Sequence, residues 1–172
     1  MKKIVIFLSI LLLSAQSVTA QSTKEKKKAQ ALAQFEELKA LIESKKFDFE
    51  ADWVTTARGT RINMMTNFNF LKFNNDSVNI YLPYFGSSTS GGASLAADSG
   101  IVFDGIPNKL KMDVNDKKKK ISISFEASDK VDTFNITMSI SGGGNTFITV
   151  NSYHRSRVNY EGKVTKPKPD KT

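Results

Sequence analysis

The spacing of apolar residues in this chain changes at Phe47. Before it, Leu32, Phe35, Leu38, Leu41 and Ile42 recur at steps of three and four; after it, apolar residues recur at every second position. A step near 3.6 gathers side chains into one stripe along a helix, whereas a step of two sends them alternately to the two faces of a strand. No later segment returns to the helical step, so the chain is committed to one helix followed by a sheet.

The helix is expected over residues 23–45. Ser22-Thr23-Lys24-Glu25 has the form of a capping box, in which the serine hydroxyl and the glutamate carboxylate satisfy each other's free backbone amides, and Lys45 and Lys46 suit the negative pole at its end. The strands follow. Phe47, Phe49, Ala51, Trp53 and Thr55 alternate with Asp48, Glu50, Asp52 and Val54, which puts the three acids on the solvent face. Arg58-Gly59-Thr60 reads as a turn, and Ile62, Met64, Thr66, Phe68 and Phe70 as one long strand. Asn74-Asn75-Asp76 breaks it; Val78, Ile80 and Leu82 resume the alternation until Pro83, which has no amide hydrogen to donate. Further strands are expected at Ile101 to Phe103, Leu110 to Val114, Ile121 to Ala127, Phe134 to Ile140, Phe147 to Tyr153 and Val158 to Val164. Gly142-Gly143-Gly144-Asn145 is a tight reversal.

The intervals between these runs are short, so neighbours in sequence pair antiparallel. The expected fold is mainly β, of α+β type: an N-terminal helix packed on an antiparallel meander of about eight or nine strands, forming an open barrel or a flattened sandwich. The chain has 12 Phe, 4 Tyr and 1 Trp, and the alternation assigns Phe49, Trp53, Phe68, Phe70, Phe125, Phe134 and Phe147 to the core.

The ends suggest an address. Lys2 and Lys3, the apolar run Ile4 to Leu13 and the small-residue site Val18-Thr19-Ala20 form the pattern of a cleaved signal peptide over residues 1–20. The apolar run is far shorter than the roughly 20 residues of a transmembrane helix. The expected product is a single domain over 21–165, exported to the periplasm or beyond, with no membrane span once the signal is removed. There is no cysteine, which excludes disulfides and a lipid-modified cysteine. Residues 166–172, with Pro167 and Pro169 among charges, are expected to be a disordered basic tail. The net charge of +8, or +6 without Lys2 and Lys3, is spread over the chain ends and the Lys117–Lys120 turn. That distribution argues against a nucleic-acid face.

One string of features follows the order of a known family: Phe47-Asp48-Phe49, Gly59, the strand from Asp76 to Leu82, Leu82-Pro83-Tyr84-Phe85-Gly86, Gly100, Phe103-Asp104-Gly105 and Tyr160-Glu161-Gly162. From about Lys27 to Val164 the chain resembles the family called domain of unknown function 4251. The resemblance implies a β-rich envelope protein of Gram-negative bacteria with no established activity, and it carries over no catalytic residues. Where the family has more aromatic character, between Gly86 and Gly100, this chain has Ser87-Ser88-Thr89-Ser90-Gly91-Gly92.

Patterns for chemistry are sparse. His154 is the only histidine, too few for a cysteine-free zinc site. Asp113-Val114-Asn115-Asp116 lacks the glycine and closing glutamate of a calcium loop. No Gly-x-Ser-x-Gly elbow surrounds Ser88, Ser90 or Ser94, and no Gly-Lys-Ser/Thr follows the glycine runs. Asp48, Glu50, Asp52 and Glu126 could supply a carboxylate pair for glycoside cleavage or serve only to keep the outer face wet. No cofactor is indicated.

The stretch Ile80 to Ser94 ends a strand in an aromatic corner. Tyr81 is out of phase with Ile80 and Leu82, and Tyr84 and Phe85, following Pro83, cannot both face the core. They form either a recognition lip or a packed corner. Arg155 and Arg157 fall on one face of the closing strands, where they could hold a carboxylate or phosphate or pair with Asp48 or Glu50. The reading is a non-catalytic binding or interaction module for a small ligand or envelope component, with Tyr81, Tyr84, Phe85, Arg155, Arg157 and the Ser87-to-Ala97 loop as its site. A hydrolase acting on envelope polysaccharide or peptide, and a structural or chaperone-like protein, stand as alternatives. Oligomeric state is left open.

Overall fold

The computed structural model describes the backbone of residues 2–85, 100–128 and 132–168, and side chains from residue 23 onward. Helix α1 (Lys2–Glu43) is followed by ten strands: β1 (Lys46–Thr56), β2 (Arg61–Asn63), β3 (Phe70–Asn74), β4 (Ser77–Leu82), β5 (Ile101–Gly105), β6 (Asn108–Asn115), β7 (Lys120–Ser128), β8 (Thr133–Ser141), β9 (Asn145–Ser152) and β10 (Val158–Thr165). All pairings are antiparallel.

The helix differs from expectation at both ends. It runs unbroken through Ser22 to Glu25, so in the full chain these residues do not form the expected cap; a capping box acts only where amides lack an upstream turn. It stops at Glu43 because Lys45 takes a left-handed conformation, φ 53°, and its amide bonds Ile42 O at 3.0 Å. The stripe is used as read: Phe35, Leu38 and Ile42 are buried, while Leu32, one turn earlier, is exposed.

The sheet is a single curled half-barrel. Its hydrogen-bonded order is β5-β4-β3-β1-β10-β9-β8-β7-β6, with β2 also pairing β1. Laid flat, nine strands at about 4.8 Å would hold β5 and β6 about 38 Å apart. Yet only Ile106 and Pro107 join Gly105 to Asn108, a link that reaches about 11 Å at most. The sheet therefore has to roll until its two edge strands approach at that link. Side chains fill the curl. The ring of Phe73 on β3 meets that of Phe125 on β7 edge-on, with centroids 5.6 Å apart, although the two strands are five places apart in the order. Phe47 stacks on Phe73 at 4.6 Å. Burial of each such side chain contributes roughly 1.5–3 kcal/mol.

A bulge in β1 re-aims its second half. Ala51 pairs with Gly162 and Trp53 with Glu161, leaving Asp52 as the extra residue. The inward series is thus Phe47, Phe49, Ala51, Val54, and Trp53 turns outward, against the alternation read from the sequence. Gly162 makes this close approach possible: a Cβ there would lie 2.0 Å from Glu50 O.

The expected long strand from Ile62 to Phe70 is interrupted. The side chain of Asn69, buried, takes over the backbone pairing: Ala51 N donates to its Oδ1 at 2.7 Å, and its Nδ2 donates to Ala51 O at 3.1 Å. Met64 N donates to Asp52 O at 2.8 Å. This pinned segment pushes Phe68 into solvent, 74% exposed. Phe147 is also outside, because Thr146 and Ile148 take the inward positions of β9. Of the seven residues assigned to the core, Phe49, Phe125 and Phe134 are buried; Trp53 and Phe70 are half-buried.

Asp48 corrects the reading of the outer face in another way. It points outward but is buried, because the chain end lies over it: Lys168 N donates to Asp48 Oδ2 at 3.2 Å, and Lys168 Nζ donates to Glu50. Residues 169–172 of the expected tail lie outside the described residues. Among the described residues, no helix is long and apolar enough to cross a membrane.

Candidate functional site

The end of the half-barrel away from the C-terminus of α1 carries the Pro83 corner, the β1–β2 turn and the β9–β10 connection. The corner is anchored twice. Tyr160 reaches across from β10, three places from β4 in the order, and its hydroxyl donates to Pro83 O at 2.9 Å. Tyr84 donates to Ser156 O at 2.8 Å, with Ser156 Oγ 3.0 Å away. Burial pushes the Tyr160 phenol well above its ordinary range; the neighbouring Tyr84 adds to this and Arg155 opposes it.

Arg155 sits behind the corner. Its guanidinium carbon lies 5.3 Å from the centroids of both the Tyr84 and Phe134 rings, an arrangement in which the ring faces attract the cation. Its Nε is 3.5 Å from Asp132 Oδ2, and the two side chains are 10% and 1% exposed. Asp132 is held in turn: Ser152 Oγ donates to Oδ2 at 2.5 Å and Thr133 N to Oδ1 at 2.8 Å. The pairing of Arg155 with Asp48 or Glu50 weighed from sequence does not occur; those acids hold Lys168.

In front of the corner lies an open cleft of about 470 Å³ between Phe85 and Ser156 on one side and the β1–β2 turn, with Thr56, Arg58 and Thr60, on the other. The turn is closed by backbone hydrogen bonds, Thr56 N donating to Thr60 O and Gly59 N to Thr56 O, both at 2.9 Å; Gly59 has φ 83°, which favours glycine. Phe85 is 38% exposed. The cleft thus offers an aromatic ring, a guanidinium and several hydroxyls on a fixed frame.

Of the five candidate residues, Tyr84, Phe85 and Arg155 come together here. Arg157 does not join them; its Nε donates to Asn151 Oδ1 at 2.9 Å on the surface. Tyr81 lies on the outer sheet face, its ring 5.5 Å from that of Phe68. The Ser87-to-Ala97 loop lies outside the described residues. The recognition lip and the packed corner each hold part of the geometry, since Tyr84 is packed and Phe85 is open to the cleft.

Arg58, Asp132 and Ser156 were not singled out in the sequence. Arg58 looked like an ordinary turn residue. Asp132 had a usable signal: a hairpin centred on Gly142 to Gly144 pairs Phe134 with Ser152, and continuing that count brings Asp132 beside the Tyr153-to-Arg155 segment. Glu126, a candidate acid, faces outward and binds Lys109 at 2.8 Å. Among the described residues, no group of three or more His, Asp or Glu is placed to hold a metal.

The fold has a solved counterpart. A crystal structure of a DUF4251 family protein from Bacteroides eggerthii DSM 20697 superposes with a TM-score of 0.61 at 18% sequence identity, covering 80% of this chain and 91% of that one. No curated protein matches the chain. The family model for the domain of unknown function DUF4251 matches residues 27–164, from the buried half of α1 to the last inward residue of β10, and the chain belongs to that family.

Proposed function

We propose that this protein is an exported, non-catalytic binding module of the cell envelope, and that its ligand sits in the cleft between Phe85 and Arg58. The observation that carries the reading is the division of labour at the corner. Tyr84 is anchored to Ser156, while the adjacent Phe85 stays 38% exposed against the cleft. An exposed ring on a frame this constrained is pre-organised for contact, and pre-organisation lowers the entropy lost on binding. The carboxylate of Asp132 is bonded to Ser152, Thr133 and Arg155, which suits a structural brace. A small ligand with an apolar or ring portion for Phe85 and an anionic or hydrogen-bond-accepting group for Arg58 fits this chemistry.

The test is a thermal-shift screen of envelope sugars, lipids and peptides against the wild-type protein and the Phe85→Ala and Arg58→Ala variants. A ligand that raises the wild-type melting temperature and loses its effect in both variants supports the site; stabilisation that survives both refutes it. Export is checked separately by expressing the full chain in a Gram-negative host. A periplasmic product beginning at Gln21 is expected, and retention of residues 1–20 on the accumulated protein would refute that part.

A further inference from the structure

The outer face of the sheet carries a row of aromatic side chains that the core does not use. Tyr81, Phe70 and Phe68 form one cluster, with centroids 5.3–6.2 Å apart. Beyond the β1 bulge, Trp53 and Phe147 form a second, looser group that flanks Glu161: each pairs with it in the strand register, from opposite sides. Phe68 and Phe147 are 74% and 43% exposed. Solvent faces of antiparallel sheets are ordinarily polar, and a single exposed ring needs no explanation; five rings on the outer face of one sheet, of which Phe68, Tyr81 and Phe147 are exposed and Phe70 and Trp53 half-buried, do.

Each cluster borders an open groove. The first, of about 510 Å³, runs between Phe68, Phe70 and Lys72 on one side and Glu50 and Asp52 on the other. The second, of about 430 Å³, is lined by Trp53 and Phe147 together with Asp52, Glu161, Asn145 and Lys120. Asp52, the extra residue of the bulge, lines both grooves and joins them. The walls are fixed: Asn69 pins the segment carrying Phe68 to β1, and the Arg61 guanidinium lies 4.4 Å from the Trp53 ring centre while bonding Glu161 at 2.8 Å.

We infer that this outer face is a second binding surface, distinct from the mouth cleft, and that its ligand is a neutral linear polysaccharide. Three features select that occupant. The track from β4 to β9 crosses four strand spacings, about 19 Å, which suits an extended chain rather than a compact molecule. The rings alternate with carboxylates, an amide and lysines, whereas the centre of a protein–protein interface is depleted of charge. Sugar rings present an apolar C–H face that packs on an aromatic π-face and a rim of hydroxyls that donate to carboxylates and amides and accept from ammonium groups. Both signs of charge line the grooves, so neither a polyanion nor a polycation is favoured.

Trp53 is the only tryptophan and reports directly. Affinity electrophoresis through gels containing hydroxyethyl cellulose, xyloglucan, laminarin, α-mannan or dextran is expected to retard the protein with at least one of them. That polysaccharide shifts the Trp53 emission, and the retardation survives 0.5 M sodium chloride. Phe68→Ala and Phe147→Ala replace exposed rings and keep the fold; each is expected to weaken binding about tenfold, in line with the loss of one stacking contact, while Phe85→Ala leaves it unchanged. Absence of retardation in all five gels overturns the inference, as does retardation unaffected by both variants. Self-association abolished by Phe68→Ala, without any glycan effect, overturns it in favour of a protein interface.

Discussion

Arg155 and Asp132 form an ion pair, Nε to Oδ2 at 3.5 Å, that is almost wholly withdrawn from water and joins the β9–β10 connection to the start of β8. Removing one partner of a buried pair loses their attraction while the other charge stays desolvated. Asp132→Ala is therefore expected to destabilise the protein by about 3 kcal/mol, and Asp132→Asn by less because it keeps the acceptor for Thr133 N. Urea unfolding of the three proteins checks this. Equal midpoints would show that the pair does not brace the mouth.

Tyr160 gives a pH dependence with a definite sign. Its phenol is raised above the ordinary value of 10, first by burial, so above pH 10 the unfolded chain loses this proton while the folded one keeps it. The unfolded state then binds fewer protons and stability falls as pH rises; below pH 10 both states are protonated and the group contributes no slope. Tyr160→Phe lacks the hydrogen bond to Pro83 O and should be about 1 kcal/mol less stable at neutral pH. The deficit should shrink between pH 10 and 11 as wild type alone suffers the phenol penalty. Denaturant midpoints measured from pH 7 to 11 read both effects, and parallel curves for the two proteins would contradict the assignment.

Gly162 is required by crowding rather than by its dihedral angles. A methyl group there would press on Glu50 O at 2.0 Å and on the Ala51 Cα at 2.8 Å, and both belong to backbone that cannot swing aside. Gly162→Ala is expected to cost about 2–3 kcal/mol and to disturb the β1 bulge. Amide hydrogen exchange at β1 and β10 should rise in the variant, and unchanged protection would show that the strands can part without penalty.

Phe125 and Phe68 test the two faces of the sheet. Both fall on the apolar beat of the sequence, yet Phe125 is 3% exposed and Phe68 is 74% exposed. Phe125→Ala should lose about 3–5 kcal/mol, whereas Phe68→Ala should stay within about 0.5 kcal/mol of wild type. A large loss for Phe68→Ala would mean that the outer aromatic row supports the fold instead of standing free of it.

The difference between those two phenylalanines shows where the sequence stopped being legible. The change of step at Phe47, the break at Asn74-Asn75 and the glycine reversal at 142–144 are local signals, because backbone geometry sets the helical and extended periods and the sterics of turns are written in the turn residues themselves. They were enough for one helix, an antiparallel sheet and most strand bounds. The Pro83 corner was visible for the same reason, and Tyr84 and Phe85 with it.

What a side chain faces across space was decided elsewhere. One extra residue, Asp52, reversed the faces of Trp53 and Val54, since a strand shifted by one position exchanges its two sides. The amide of Asn69 replaced a stretch of strand and expelled Phe68. The hydrogen bond from Tyr160 to Pro83 O and the edge-on meeting of Phe73 with Phe125 required the sheet to curl, and that curl is imposed by the two-residue link between edge strands at opposite ends of the hydrogen-bonded order. Which segments are helix and which are strand was written in the local order of residues; the closure of the sheet, through contacts between residues far apart in the chain, set which rings fill the core and which point outward.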